Sequence, residues 1–575
     1  MNPEQTKAAI RMAIENAIRE SPLVLLNTDS GRLLDKSEQA CSFKLQPIFR
    51  ELISSMTTHI DHSRIEREVA EYYRYAMFSH KWEDNEPLFE KVMRIVVYDL
   101  DESLTHDKLK MFCKIVRDSG FHWAWSDTCC INKGDHFVLQ EALVSMFRWY
   151  EGSALTIVLL RGVRSPSKRG DLVRSIWNTR AWAFQEYHAS KVVRFYTEDW
   201  KPYLNVDIPN HKESPEIISE MEEVTGVSAR ALMALRPGLD DIREKLRLAS
   251  TRQTTRVEDA AYSLLGIFSM SLPVVYGEGD KALGRFLAQL LTSSGDPSIL
   301  AWTGRSGSFN SCLPANIAVF QQLPTTHIPP TLECAEMDEI AARLRGSSLN
   351  STSIMMLYDR LDELPVPSFV GQRMKLPCLS FKLGPLSASR SKSRHAFRAQ
   401  TAVGVVEIKT DEDLSRSGAL YLVHPWIDFL LDRQPVGSAA ETILEENTDD
   451  RSSIAELPLF PGPSSVTLAV PQTPAARLVS RLGQPFDGRT TTFPPDAASL
   501  RPPSSLSPTE RQTRASQVIA RLRHPFGALL LTPHRSNVAA YRRVAAESLI
   551  TVRVEEITPT ILSKLVDSVR TLDVL

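Results

Sequence analysis

The segment RAWAFQEY (Arg180–Tyr187) lies between the apolar runs ALTIVLL and KVVRFY and carries Glu186 one helical turn after Trp182. A carboxylate in a helix flanked by core strands has two readings. It faces water at a rim, pairing with Arg180 or His188, or it is held in place for chemistry. The i, i+4 spacing puts Trp182 and Glu186 on one helical face, so the indole would shape a pocket that the carboxylate enters. A carboxylate beneath a sugar can stabilise an oxocarbenium-like centre, as in glycoside hydrolysis.

Two further groups carry polar chemistry. Ser79, His80, Lys81, Trp82 and Asp84 follow the apolar run YAMF. Backbone N–H groups and Lys81 in such a loop suit the phosphates of a nucleotide; the alternative is a tight polar loop with Trp82 as a packing lid. Asp127, Cys129, Cys130 and Asn132 close the next apolar run. A cysteine nucleophile there needs a base, for which His80 or His122 is available, whereas free cysteines in such positions are commonly just buried. Asp127 and Asn132 also suit side-chain-to-backbone bonds that fix a loop. YGEGDKALGRF brings glycines into a helix but lacks the Lys-Ser/Thr of a phosphate-binding loop, and is read as a structural turn, with Arg252, Glu258 and Asp259 as intradomain polar contacts. HIDH (His59–His62) is not read as a metal site, and no zinc-type spacing occurs, so no metal is expected.

The elements that position these residues follow from hydrophobic periodicity. YAMFSH, IVVYDL, HWAWSD, LTIVLL and VVRFY read as short buried strands. Between them, Leu109, Phe112, Cys113 and Val116 form one helical stripe ending at Gly120, and Leu139, Ala142, Leu143, Met146, Phe147 and Tyr150 form another. RSIWNTRAWAFQEYHAS reads as one helix or two short ones. Continuous apolar strands alternating with amphipathic helices imply a parallel sheet covered on both faces, an α/β domain of flavodoxin-like type. Ligands in such sheets bind beyond the carboxyl ends of the strands, where the loops after His80, Asp127 and Leu160 fall.

Residues 72–205 are therefore the α/β core, preceded by a helical leader over 1–71. Residues 206–305 form a helical subdomain, in which VEDAAYSLLGIFSM and DKALGRFLAQLL are helices and Leu283, Phe286, Leu287 and Leu290 the buried stripe. Residues 306–435 read as a β-rich accessory domain, 436–516 as a Pro/Ser/Thr-rich disordered insertion, and 517–575 as a segment that completes the β-rich domain. RLGQPF and RLRHPF echo one another without establishing a repeat.

Composition sets the class. At 575 residues the chain exceeds a single core, and a 43% hydrophobic and 24% charged content is that of a soluble globular protein. A net charge of −2 offers no basic field for nucleic acid or anionic membrane. The seven cysteines form no CxxC pair, as expected of reduced thiols inside a cell. The apolar runs are too short to span a bilayer, and no targeting segment is evident, so a cytoplasmic location is expected.

YAMFSHKWED, WAWSDTCCINKGD, NTRAWAFQE and RQTTRVEDAAYSLLGIFSMSLPVVYGEG, in that order, resemble the successive signature blocks of fungal HET (heterokaryon, or vegetative, incompatibility) domains. The resemblance covers about residues 72 to 302, and VLLNTDSGRLLDKSEQ resembles a leader found before such domains in basidiomycetes. It implies a signalling or effector role in fungal non-self recognition, in which activation drives programmed cell death. It also implies kinship with the TIR domain, some members of which cleave NAD with a glutamate in a W-x-x-x-E arrangement. Trp182 to Glu186 matches that spacing, which makes Glu186 the candidate catalytic residue and Ser79, His80, Lys81, Trp82, Asp127 and Trp182 candidate ligand-binding residues. NAD is then a substrate rather than a cofactor, and self-association through the TIR-like domain, together with an unidentified protein partner, is expected. A non-catalytic TIR-like interaction scaffold is the alternative. Two positions depart from the family pattern: Glu83 stands where a glycine is usual, and Asn132-Lys133 where Asn-Gln is common. Both fall in loops that would face a ligand.

Overall fold

A computed structural model describes residues 3–56, 59–225, 235–321, 351–389, 395–414, 417–426, 508–523, 526–535, 537–552, 554 and 557–575. The insertion read over 436–516, including RLGQPF, lies almost wholly outside them. Two compact units divide the chain, one of residues 1–433 with 513–575 and the other of 434–512; the description below concerns the first.

The chain opens with α1 (Pro3–Arg19), a hairpin of β1 (Val24–Asn27) and β2 (Arg32–Asp35), and helices α2 (Lys36–Ser42), α3 (Pro47–Ser55) and α4 (His62–Tyr72). Asp35 caps α2 through a reciprocal capping box with Glu38, one signal that places the helix directly after the strand. The region read as a helical leader thus also supplies strands, and β1 pairs antiparallel with the core sheet through Leu26 and Ala124.

The core alternates β3 (Tyr75–His80), α5 (Phe89–Val92), α6 (Leu104–Asp118), β4 (Trp123–Trp125), α7 (His136–Gly152), β5 (Leu155–Leu160), α8 (Asp171–Arg174), α9 (Ile176–Thr179), α10 (Ala181–Ala189) and β6 (Val193–Thr197). Strand order is β2-β1-β4-β3-β5-β6, with β4, β3, β5 and β6 mutually parallel. Both faces are covered: Ile157 and Leu159 of β5 join one buried cluster, and their neighbours Val158 and Leu160 join another. Helix α6 begins at Ser103, whose side chain accepts from the N–H of His106. It ends at Gly120, with φ of 87°, where the N–H of Phe121 reaches back to the carbonyl of Val116.

IVVYDL is not a strand. Its centre is a short 3-10 turn over Val97–Asp99, and the N–H of Val97 donates to the carbonyl of Gly31 in the β1–β2 turn. With β3 flanked by β4 and β5, and β4 by β1, the run packs against the hairpin turn instead. A short apolar run carries no period that separates these outcomes.

Downstream lie α11 (Pro215–Thr225), α12 (Ile242–Ser250), α13 (Asp259–Tyr262) and α14 (Lys281–Ser294). Leu283, Phe286, Leu287 and Leu290 are all buried. VEDAAYSLLGIFSM forms a single helical turn and then successive turns rather than one helix. Its Gly266 packs against the Cβ of Phe147, and Ser269 takes a φ of 51°.

The C-terminal part comprises α15 (Ser351–Asp362), β7 (Ser368–Val370), β8 (Arg373–Lys382), β9 (Ser387–Ala388), β10 (Ala396–Thr401), β11 (Gly404–Lys409), β12 (Tyr421–Pro425), α16 (Pro508–Arg523), β13 (Phe526–His534), β14 (Asn537–Arg543), β15 (Ile550–Val552), α17 (Pro559–Ser568) and β16 (Val569–Val574). β8 pairs with β12, β12 with β13, β13 with β14, β14 with β16, and β16 again with β8, so this sheet closes on itself. Closure removes free edges from these strands. No helix among the described residues is long and apolar enough to cross a membrane.

Candidate functional site

The chain leaves β3 to form β4 on one side and returns to form β5 on the other, so the carboxyl ends of β3 and β5 flank the point where strand order reverses. Clefts form there because successive connections diverge to opposite faces. Ser79 and His80 end β3 at this point, and α10 brings Glu186 to them.

Glu186 is 4% exposed. Its carboxylate accepts a hydrogen bond from the Ser79 hydroxyl, and Ser79 in turn accepts from the Trp177 indole N–H at 2.6 Å. Arg180 stands 3.9 Å from the same carboxylate, and its guanidinium also donates to the carbonyl of His80. Burial raises the Glu186 pKa, while Arg180 and Ser79 oppose the rise. Glu186 is thus paired with Arg180, as in the rim reading, but inside the protein rather than at its rim.

Trp182 does not close over Glu186. Its indole N–H is directed to the carboxylate of Asp259, whose pKa it lowers, and that carboxylate accepts from the Tyr276 hydroxyl at 3.0 Å. Residues four apart share a helical face, but long side chains can still diverge to different neighbours.

His80 is 2% exposed, its ring centroid lies 4.2 Å from that of Phe78 with the planes tilted, and it has no hydrogen-bond partner for either ring nitrogen among the described residues. Its Nε2 lies 4.0 Å from Glu86. Burial and the nearby cations Lys108, Arg180 and Lys133 drive its pKa well below the usual range, so the ring is neutral. The side chain of Lys81 is exposed, and its carbonyl accepts from Lys108 at 3.3 Å. Lys108 also pairs with Glu83 and Glu86, and Arg161 pairs with Glu83 at 2.8 Å. Glu83 thereby ties the loop after β3 to both α6 and the end of β5.

Trp82 is 39% exposed, and its indole N–H donates to Asp127 at 2.7 Å. Lys133 lies 4.1 Å from the Trp82 ring centroid and donates to the carbonyls of Asp127 and Thr128. Ser79 and Glu186 therefore form an inner group, and Trp82 and Asp127 an outer one. Asn132 accepts from the N–H of Gly134, so it fixes its loop as expected.

Cys129 and Cys130 are buried, and the hydrogen bond between them together with burial holds the Cys129 thiol well above its ordinary pKa. His122 is engaged by Asp29 at 2.7 Å. In the glycine turn before α14, the N–H groups of Gly277 and Gly279 both donate to Glu258, so the chain's own carboxylate takes the anion position. Among the described residues no cluster of His, Cys, Asp or Glu is arranged to hold a metal ion. Trp177, Tyr150, Glu86 and Lys108 join the site without a sequence signal, because each depends on contacts between distant segments. The Tyr150 hydroxyl, for example, donates to the carbonyl of Phe78.

An α/β domain with its polar residues gathered at the carboxyl edge of a parallel sheet is the class that fold and site define. Residues 75–170 match the profile of the family described as "Heterokaryon incompatibility protein (HET)". The chain is also 32% identical over 225 residues to the vegetative incompatibility protein HET-E-1 of Podospora anserina, across 37% of this chain and 16% of that protein. Residues 75–170 of the chain are thus similar to HET domains. It spans a small part of the length of the curated relative it matches. No solved structure matches it.

Proposed function

We propose that this chain is a signalling or effector protein of heterokaryon incompatibility, acting in the cytoplasm in a regulated cell-death response, and that its α/β core is a flavodoxin-like, TIR-like domain that cleaves NAD. The strand order β4-β3-β5-β6, which is 2-1-3-4 among the parallel strands, supports the flavodoxin-like reading. The observation that carries the catalytic reading is the buried Glu186 carboxylate hydrogen-bonded to Ser79 at the reversal of strand order.

In NAD cleavage the bond between nicotinamide and the ribose C1′ breaks, and nicotinamide leaves with the electron pair as a neutral base. Ionised Glu186 stabilises the positive charge that develops on the ribose. Water then adds to C1′ and gives up its proton to the carboxylate. Self-association through this domain would bring such sites together, and a protein partner would supply the trigger.

A second reading is favoured by one observation: Glu186 is 4% exposed and its carboxylate is already engaged by Ser79 and Arg180. That sealing suits a scaffold that recruits partners and turns nothing over. Nicotinamide release from NAD by concentrated protein, wild type beside Glu186→Ala, separates the two. Release lost in the variant supports the catalytic reading. Absence of release from folded, self-associated wild type supports the scaffold.

A further inference from the structure

We propose that the edge formed by the loop after β3 and the first turns of α6 and α7 is a docking surface for a basic amphipathic helix of a protein partner. This rests on the reading that the chain takes a protein partner, gives that partner a chemistry, and holds whether or not NAD is cleaved.

Four large apolar side chains stand open on this edge. Trp82 and Leu88 belong to the loop, Leu104 is the first residue of α6 and 75% exposed, and Phe137 lies in the first turn of α7 and is 88% exposed. The three segments are tied together. The Thr105 hydroxyl donates to the carbonyl of Asn85 at 2.9 Å, Lys91 lies 3.0 Å from His106, and Lys133, just before α7, sits over the Trp82 ring. Scattered exposed hydrophobics need no account, but a set on one edge, framed by charge, is the pattern of an interaction site.

The charge that frames them has one sign. Asp84, Glu90, Asp101, Glu102, Asp107 and Asp135 are exposed, whereas Lys81 is the one exposed lysine or arginine on residues 81–91, 101–107 and 134–137. Asp107 is matched by Lys110 at 3.8 Å, but Asp84, Asp101 and Glu102 have no ion-pair partner among the described residues. The positive ends of both helices are already met within the chain. Ser103 accepts from the N–H of His106 on α6, and Asp135 from the N–H groups of Phe137 and Val138 on α7.

Apolar anchors in an acidic frame fit a helix that carries Lys or Arg beside an apolar stripe. A second copy docked by the same face would set these carboxylates against one another. Nucleic acid or an anionic membrane would be repelled by them.

The test titrates the full chain into a fluorescein-labelled peptide of about 18 leucine and lysine residues with leucine on one helical face. Anisotropy is read at about 50 mM NaCl, where surface charges are weakly screened. A control peptide carries glutamate at every lysine. The basic peptide should bind and the acidic one should not. The double variant Leu104→Ser, Phe137→Ser should weaken binding about tenfold or more. Asp101→Asn with Glu102→Gln should weaken it about threefold, a difference that closes at about 0.5 M NaCl. All four positions are exposed, so these variants keep the fold. No binding of the basic peptide, equal binding of both peptides, or an affinity unchanged in the serine variant overturns the surface. Self-association lost in the serine variant by sedimentation velocity, with no peptide bound by wild type, assigns the face to a second copy and also overturns it. Nicotinamide release is not read, so failure here leaves the NAD reading untouched.

Discussion

The Ser79 hydroxyl joins Glu186 to Trp177, donating to the carboxylate while accepting from the indole N–H at 2.6 Å. All three side chains are buried, so this relay connects β3, α9 and α10 through groups that have no access to solvent. Removing its central atom leaves a carboxylate oxygen and an indole N–H without that partner in a low-dielectric interior.

Ser79→Ala should therefore destabilise the protein by about 1–3 kcal/mol. Urea denaturation followed by far-UV circular dichroism measures this; an unchanged midpoint would show that the relay adds nothing to stability.

Gly284 should behave opposite to its helical context. Replacing an interior helical glycine by alanine normally stabilises by about 1 kcal/mol. Here a Cβ would stand 2.2 Å from the Cβ of Phe309. Overpacking of this kind costs about 1–3 kcal/mol, so Gly284→Ala should lower Tm, and in the Phe309→Gly background, where that Cβ is absent, the same substitution should cost less.

Acid should destabilise the chain in a defined window. His211 accepts from the Phe195 N–H through Nδ1 and contacts the carbonyl of Val206 through Nε2, which fixes the neutral ring with its proton on Nε2. Burial lowers its pKa to about 4. The unfolded chain, with histidine near 6.5, then binds more protons than the native state between pH 4 and 6.5, so stability rises with pH across that window and is fully present above it. The contribution lost on acidification is about 2–3 kcal/mol. Glu186 has the opposite sign: its raised pKa lets the native state hold a proton more firmly, and it loses stability as pH rises through that pKa. Unfolding free energy measured from pH 7 to 4 should fall less steeply in His211→Gln than in wild type. Parallel curves would remove His211 as a cause.

Arg543 ties the closed C-terminal sheet to the segment after α14. Its guanidinium donates to the carbonyls of Leu300 and Trp302 and stacks 3.8 Å from the Trp302 ring centroid. A lysine keeps the charge but cannot reproduce the planar fork or the stacking. Arg543→Lys should cost about 2–4 kcal/mol. Calorimetry would show whether a single transition shifts down or splits in two, and an unchanged profile would mean that this tie is dispensable.

Local physics was enough to read much of the core. The apolar runs at 75–80, 155–160 and 193–197 are strands, and the stripes at Leu109–Val116 and Leu139–Tyr150 are helical faces, because burial imposes a period on neighbouring residues. The composition of RAWAFQEY likewise drew attention to Glu186. IVVYDL failed the same test because a run of that length has no distinguishing period, and its conformation follows from contact with Gly31 far earlier in the chain.

What only the tertiary structure decided is who meets whom. Glu186 faces Ser79 across a separation of 107 residues, Trp182 turns to Asp259, and the N-terminal hairpin completes the sheet edge beside β4. No short-range signal encodes such pairings: each requires two segments, distant in sequence, to bury their apolar faces together before their polar groups come within reach. The sequence by itself determined the periodic elements and named the carboxylate. The packing of those elements determined that the carboxylate is buried, and which side chains engage it.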